Sequence, residues 1–144
     1  MALDAASIDI DTAPYAALLL RLCLAAIFAA HAMLKWRVFT VPVEVVFFRS
    51  LGLPGWMVPV TITLELSGAV CLLFGILARW VALLLVPFIL GTIVTVHGRN
   101  GWLFTNKDGG WEYPAFWAAA LVVQFLLGDG AWTLICSPAL PPLL

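Results

Sequence analysis

Charge is scarce in this chain of 144 residues: only 10% of positions are charged, seven Lys and Arg against eight Asp and Glu. A net charge of −1, with no basic patch interleaved with aromatics, gives no footing for a nucleic-acid partner. Cysteine is scarce too. Cys23, Cys71 and Cys136 are odd in number and far apart, with no CxxC spacing for zinc, an iron–sulfur cluster or a redox dithiol, so they read as small apolar packing residues. Also missing are a Gly-rich phosphate loop, a Ser elbow and a CxxCH haem-attachment motif, and with them any recognisable nucleophile or covalent cofactor site. No metal site is expected. No Lys or Arg precedes Arg21, so the start lacks the basic region of a cleavable signal peptide. Residues 1–13, with Asp4, Asp9 and Asp11, read as a retained, solvated tail.

What the chain has in abundance is apolar surface. With 64% hydrophobic residues and a mean hydropathy of +1.09, it cannot coat a water-soluble globule of this size. It is a membrane protein. Four apolar runs stand out, about Tyr15 to Leu34, Trp56 to Leu77, Trp80 to Val96 and Tyr113 to Leu127. A bilayer core needs about 17 to 25 helical residues, which the first two runs supply and the last two barely reach. The fold class is therefore an all-α membrane protein, a four-helix transmembrane bundle in one domain over residues 14–134, followed by a Pro-rich tail over 135–144.

Between spans one and two, Thr40 is placed to cap a short helix with Pro42 in its first turn. Val43, Val46, Phe47 and Leu51 recur there with helical period while Glu44 and Arg49 point elsewhere, the pattern of an amphipathic segment at the membrane interface. Spans two and three are separated by a few residues around Gly75, which predicts antiparallel neighbours. Ala25, Ala26, Ala29 and Ala30 give span one a small-residue stripe for close packing. Both termini share a side. The long-loop side holds Lys35, Arg37, Arg49, Arg99 and Lys107, against Arg79 at the other, so the positive-inside rule puts those loops in the cytoplasm and the termini outside.

One ionisable side chain sits near the middle of span two: Glu65. A charge at that depth costs roughly 2.5 to 3.5 kcal/mol on insertion scales, so it faces partners inside the bundle and marks a functional site by default. An up-and-down bundle gathers His31, Lys35, His97, Arg99, Asn100, Lys107 and Glu112 at one end, above Glu65, with Arg21 approaching from the other. Arg21 as a structural counter-charge to Glu65, and the other cations as snorkelling interfacial groups, are the plain alternatives. Gln124 reads most simply as an interhelical hydrogen bonder. The chemistry left open is proton handling and recognition of a polar head group on an apolar body. A quinone fits, because its oxygens need donors such as His97, Lys35 or Arg99 and its reduction takes up protons that Glu65 relays.

Arg21 and HAMLK in span one, GLPGW before span two, Glu65 with Gly68 and LLFGILAR, then HGRNGW, Glu112 and GDGAW together resemble the DoxX family of small four-helix membrane proteins, over about residues 15–132. The resemblance implies a bacterial or archaeal inner-membrane protein associated with redox or sulfur metabolism through partner proteins. It also implies Arg21, His31, Lys35, Glu65, His97 and Glu112 as the shared polar set. The leading expectation is a membrane subunit of a redox complex that contacts the quinone pool, with Glu65 and His97 in catalytic roles and Arg21, His31, Lys35, Arg99, Asn100 and Glu112 binding the ligand. Its partners would be lipid and other proteins of a larger complex. The competing expectations are a non-enzymatic scaffold or assembly subunit, and a b-type haem carried between His31 and His97. Small-solute transport and self-association stay open, since four spans are few for a transporter acting alone.

Overall fold

A computed structural model describes residues 9–140. Asp4 and the first eight residues of the acidic start lie outside the described residues, as do the last four residues of the Pro-rich tail. Among the described residues the chain is helical, with one isolated backbone bridge between Ile76 and Ile135. Helix α1 spans Ala13–Met33, with Pro14 in its first turn, where its missing N–H costs nothing. A π turn, Leu34–Val38, continues it into an apolar stretch of 26 residues. Helix α2 is Val41–Ser50, α3 is Met57–Phe74, α4 is Ala78–Thr92 and α5 is Glu112–Leu127. A second π turn, Ile93–His97, and a short turn to Asn100 extend α4 to 23 residues. Three of these stretches are long and apolar enough to cross a membrane, while α5 is shorter at 16 residues.

The helices pack antiparallel, most extensively α1 against α3 and α4 against α5. Leu24, Phe28, Leu72, Leu85, Ile89, Trp117 and Leu121 form the core between them. The short connection does make α3 and α4 neighbours, and they approach closely where Gly68 faces Leu85: a Cβ there would stand 3.0 Å from Leu85 Cδ1. Half of the alanine stripe joins this packing. Ala25 is buried and Ala29 half-buried, while Ala26 and Ala30 face outward. Cys23 and Cys136 are exposed and Cys71 is half-buried, all three as free thiols.

Arg21 organises the end of the bundle where the termini lie. Its guanidinium, 1% exposed, donates to the carbonyls of Asp129, Ala131 and Trp132 at 2.8, 3.2 and 2.9 Å. The GDGAW stretch is thereby folded over the helix ends. Gly75, with φ +65°, belongs to the same junction, because a Cβ on it would collide with Arg21 Nη1 and the Thr133 backbone. Asp129 fastens the other side. It accepts from the Arg79 N–H at 2.8 Å, in the first turn of α4, and from the Ser137 N–H and hydroxyl at 2.5 and 2.7 Å. The start of the tail is thus docked, with Leu77 N–H also donating to the Ile135 carbonyl at 2.9 Å. Gln124 does not bridge helices. Its amide donates to the Gly128 carbonyl at 2.7 Å and closes the end of its own helix.

Burial by itself raises the Asp129 carboxyl, but the hydrogen bonds from Ser137 and Arg79, with the Arg79 charge nearby, outweigh it and hold the group below its ordinary value of 3.8. A depressed folded value gives stability that is present above the unfolded value and lost as pH falls through the folded one. The melting-temperature gap between the wild type and Asp129→Asn is therefore expected to be widest at neutral pH and to close as pH falls through the depressed folded value. Differential scanning fluorimetry in detergent across that range checks it.

Candidate functional site

The other end of the bundle holds a partly open cavity of about 470 Å³ lined by all five helices. Its depth is set by Glu65, eight residues into α3 from Met57, about 12 Å below the helix start at 1.5 Å per residue. Glu65 is 2% exposed. One carboxylate oxygen, Oε1, is held by Lys35 Nζ at 2.5 Å. The other, Oε2, is buried without a hydrogen-bond partner among the described residues. Lys35 reaches the carboxylate from the π turn at the end of α1 and lies 5.8 Å from the centroid of the Phe88 ring.

This pairing corrects the expectation that Arg21 neutralises Glu65. Arg21 and Lys35 lie on one arc of α1, but 14 residues separate them, about 21 Å along the axis. The antiparallel register of α3 brings Glu65 beside Lys35, and both terminal nitrogens of Arg21 are spent on the GDGAW carbonyls.

Two histidines complete the polar lining. His31 Nδ1 lies 3.0 Å from the Ile27 carbonyl of the preceding turn, and His97 Nδ1 lies 3.0 Å from the Gly109 carbonyl. A carbonyl only accepts, so in each ring Nδ1 carries the proton and Nε2 is left free. His31 also stacks on Tyr113 and leans on Trp117, with ring centroids at 6.1 and 4.9 Å. His97 depends on the loop that follows it. Asn100 Nδ2 donates to the same Gly109 carbonyl at 2.9 Å and to the Asp108 carbonyl at 3.0 Å. The loop closes on itself through Gly110, where any Cβ would run into the carbonyls of Gly101, Trp102 and Leu103.

Four of the eight expected site residues, Glu65, His97, His31 and Lys35, therefore line one cavity. Asn100 and Glu112 instead fold the loop: Glu112 Oε1 accepts from the Phe104 N–H at 3.0 Å. Glu112 faces a neighbouring groove of about 850 Å³, which is more open and shares only His97, Tyr113 and Pro114 with the Glu65 cavity. Arg99 is exposed and lines neither. Arg21 lies at the opposite end.

Glu44 is the residue that the periodicity concealed. Instead of pointing away, it is 7% exposed and lines the cavity beneath α2, together with Phe48 and Leu51 at i+4 and i+7. Of the apolar face read there, Val43 and Val46 are 58% and 69% exposed, while Phe47 and Leu51 line the cavity. Burial pushes the Glu44 carboxyl up from its ordinary range, against the pull of Lys35 and with the added push of Glu65. Thr40 does stand at the N-cap of α2, but with φ +67° and no side-chain hydrogen bond to the helix.

Apart from these groups and Thr61, Thr92 and Thr95, the wall is apolar and aromatic, with Phe47, Phe48, Pro87, Phe88, Ile89 and Trp117. A concave, largely apolar site with a few convergent polar atoms is the form of a small-molecule pocket. Among the described residues no group of three or more His, Cys, Asp or Glu side chains is placed to hold a metal ion.

Fold and cavity together define a small, multi-pass helical membrane protein with an ionisable pocket among its helices. The DoxX family model matches residues 16–98, more than half of the chain, and the chain belongs to the DoxX family. That match takes in Arg21, His31, Lys35, Glu44, Glu65 and His97, and stops before Glu112 and GDGAW. The chain is similar to the Bacillus subtilis protein named "Putative oxidoreductase CatD", 37% identical over 79 residues, 55% of this chain and 58% of that one. It is also similar to "Inner membrane protein YqjF" of Escherichia coli, 39% identical over 53 residues, 37% of this chain and 41% of that one. The matched part is less than two thirds of either relative. No solved structure matches the chain significantly.

Proposed function

We propose that the protein is the membrane subunit of a quinone-linked redox complex, and that the cavity around Glu65 takes the head group of a quinone or its reduced form. One observation carries this reading: a carboxylate 2% exposed, with one oxygen on Lys35 and the other without a partner among the described residues, on the wall of a cavity rich in aromatic side chains. Orphaned buried polar atoms cost about 1 to 3 kcal/mol each, a cost that a ligand with a polar edge relieves. In support, one relative is named as an oxidoreductase and the other as an inner-membrane protein.

Two-electron carriage between membrane partners is what a quinone supplies. The chain's own part is proton handling and orientation. Glu65 accepts or returns a proton, Lys35 compensates its charge, and the free Nε2 atoms of His31 and His97 accept from the ring hydroxyls of the reduced form. On this reading α5 is the fourth span and α2 lies at the interface as a roof over the cavity. By the positive-inside rule, Lys35, Arg37, Arg49, Arg99 and Lys107 favour a cytoplasmic side for that roofed end.

The test is quinone binding and partner-dependent quinone reduction in membranes carrying Glu65→Gln or His97→Ala. Both variants are expected to fall by about tenfold or more in each measurement, the scale of one lost charge-assisted hydrogen bond. Wild-type levels in both would refute the reading. A haem between His31 and His97 would use the same Nε2 atoms, and a Soret band in protein purified from its own membranes would replace the quinone by haem.

A further inference from the structure

Resting on the head-group reading, the hydrogen-bonding capacity around the cavity distinguishes the two redox forms of such a ligand. The free groups are mostly acceptors. Glu65 Oε2 has no partner among the described residues, the His31 and His97 rings spend Nδ1 on a backbone carbonyl and leave Nε2 unpaired, and Glu44 adds a second carboxyl group. The threonine hydroxyls that line the same space do not help, because Thr61, Thr92 and Thr95 donate to carbonyls of their own helices at 2.9, 2.7 and 2.9 Å. On the donor side stand the remaining N–H groups of Lys35, the Trp117 indole N–H, buried without a partner among the described residues, and the Tyr113 hydroxyl, which also accepts.

A quinone oxygen only accepts. It relieves Trp117 or Lys35 but leaves Glu65 Oε2 bare in its carboxylate form. A phenolic hydroxyl donates and accepts at once, and so serves both kinds of orphan. We propose that the cavity is selective for an aromatic diol of the hydroquinone type over the matching quinone, with Glu65 as the acceptor of a ring hydroxyl. A preference of about tenfold corresponds to a rise of about 30 mV in the potential of a bound two-electron couple.

The probes are durohydroquinone, duroquinone and the dimethyl ether of durohydroquinone, titrated anaerobically into the full chain in detergent and followed calorimetrically. The four ring methyl groups prevent addition of the exposed thiols of Cys23 and Cys136 to the quinone. Durohydroquinone is expected to bind about tenfold tighter than duroquinone, the scale of one net hydrogen bond, and methylation of both hydroxyls is expected to abolish the advantage. Glu65→Gln, whose amide also donates, is expected to bring the two forms within about threefold of each other. The ether comparison uses wild-type protein, so the test stands even where that variant folds poorly. Equal affinities, or tighter binding of duroquinone, would overturn the selectivity and leave the head-group reading intact. Binding of none of the three would overturn both.

Discussion

Glu65→Leu, with Lys35 left in place, is expected to give little folded protein. The substitution strands an ammonium that is only 19% exposed against apolar helices. Breaking one side of a buried ion pair costs about 3 to 5 kcal/mol. The figure here belongs at the lower end, since the long lysine stem lets the charge move toward the membrane surface. The double variant Lys35→Met with Glu65→Leu removes both charges and keeps the volume apolar, so it is expected to recover most of the lost stability. Monodisperse yield and thermal unfolding in detergent measure both variants. If the single variant melted like the wild type, the Lys35 to Glu65 pair would not be what holds this depth of the bundle together.

Arg21→Met is expected to be comparably damaging for a different reason. Three carbonyls of the GDGAW stretch lose their donor at once, and hydrogen bonds from a charged group contribute about 1.5 to 3 kcal/mol each, less than additively. A loss of about 4 kcal/mol is the expected scale. Arg21→Lys should recover little of it, because a single ammonium cannot reproduce the planar fork that reaches Asp129, Ala131 and Trp132 together. Arg21 does not line the cavity, so the fraction that folds should bind durohydroquinone with wild-type affinity. Unchanged unfolding, or normal unfolding with lost affinity, would contradict this assignment.

The arrangement was legible in the sequence to different depths. The long helices could be read because apolar runs in lipid have few other options than helix. Glu65 stood out because an ionisable group in such a run has no innocent explanation at low cost. Its partner did not, because Arg21 and Lys35 share one face of α1, and only the register against α3 chooses between them. One chain read alone contains no register.

Glu44 was hidden because its charge set it apart from the apolar face of a short amphipathic helix. Val43 and Val46 are exposed, and Glu44, Phe48 and Leu51 at i, i+4 and i+7 line the cavity. The i, i+4, i+7 spacing was available as a signal. The roles of Asn100 and Glu112 were not, since a loop that bonds to itself through Gly110 leaves no periodic trace.

The central claim is that a head group sits against Lys35 and Glu65 in the native membrane. Native mass spectrometry of the protein released gently from its own membranes tests it most directly, comparing wild type with the Lys35→Met, Glu65→Leu double variant. The wild type is predicted to carry one quinone-type adduct per chain, and the folded double variant to carry none. An adduct retained by the double variant, or a wild type bearing protein partners but no small ligand, would contradict the account and turn the buried pair into a structural clasp.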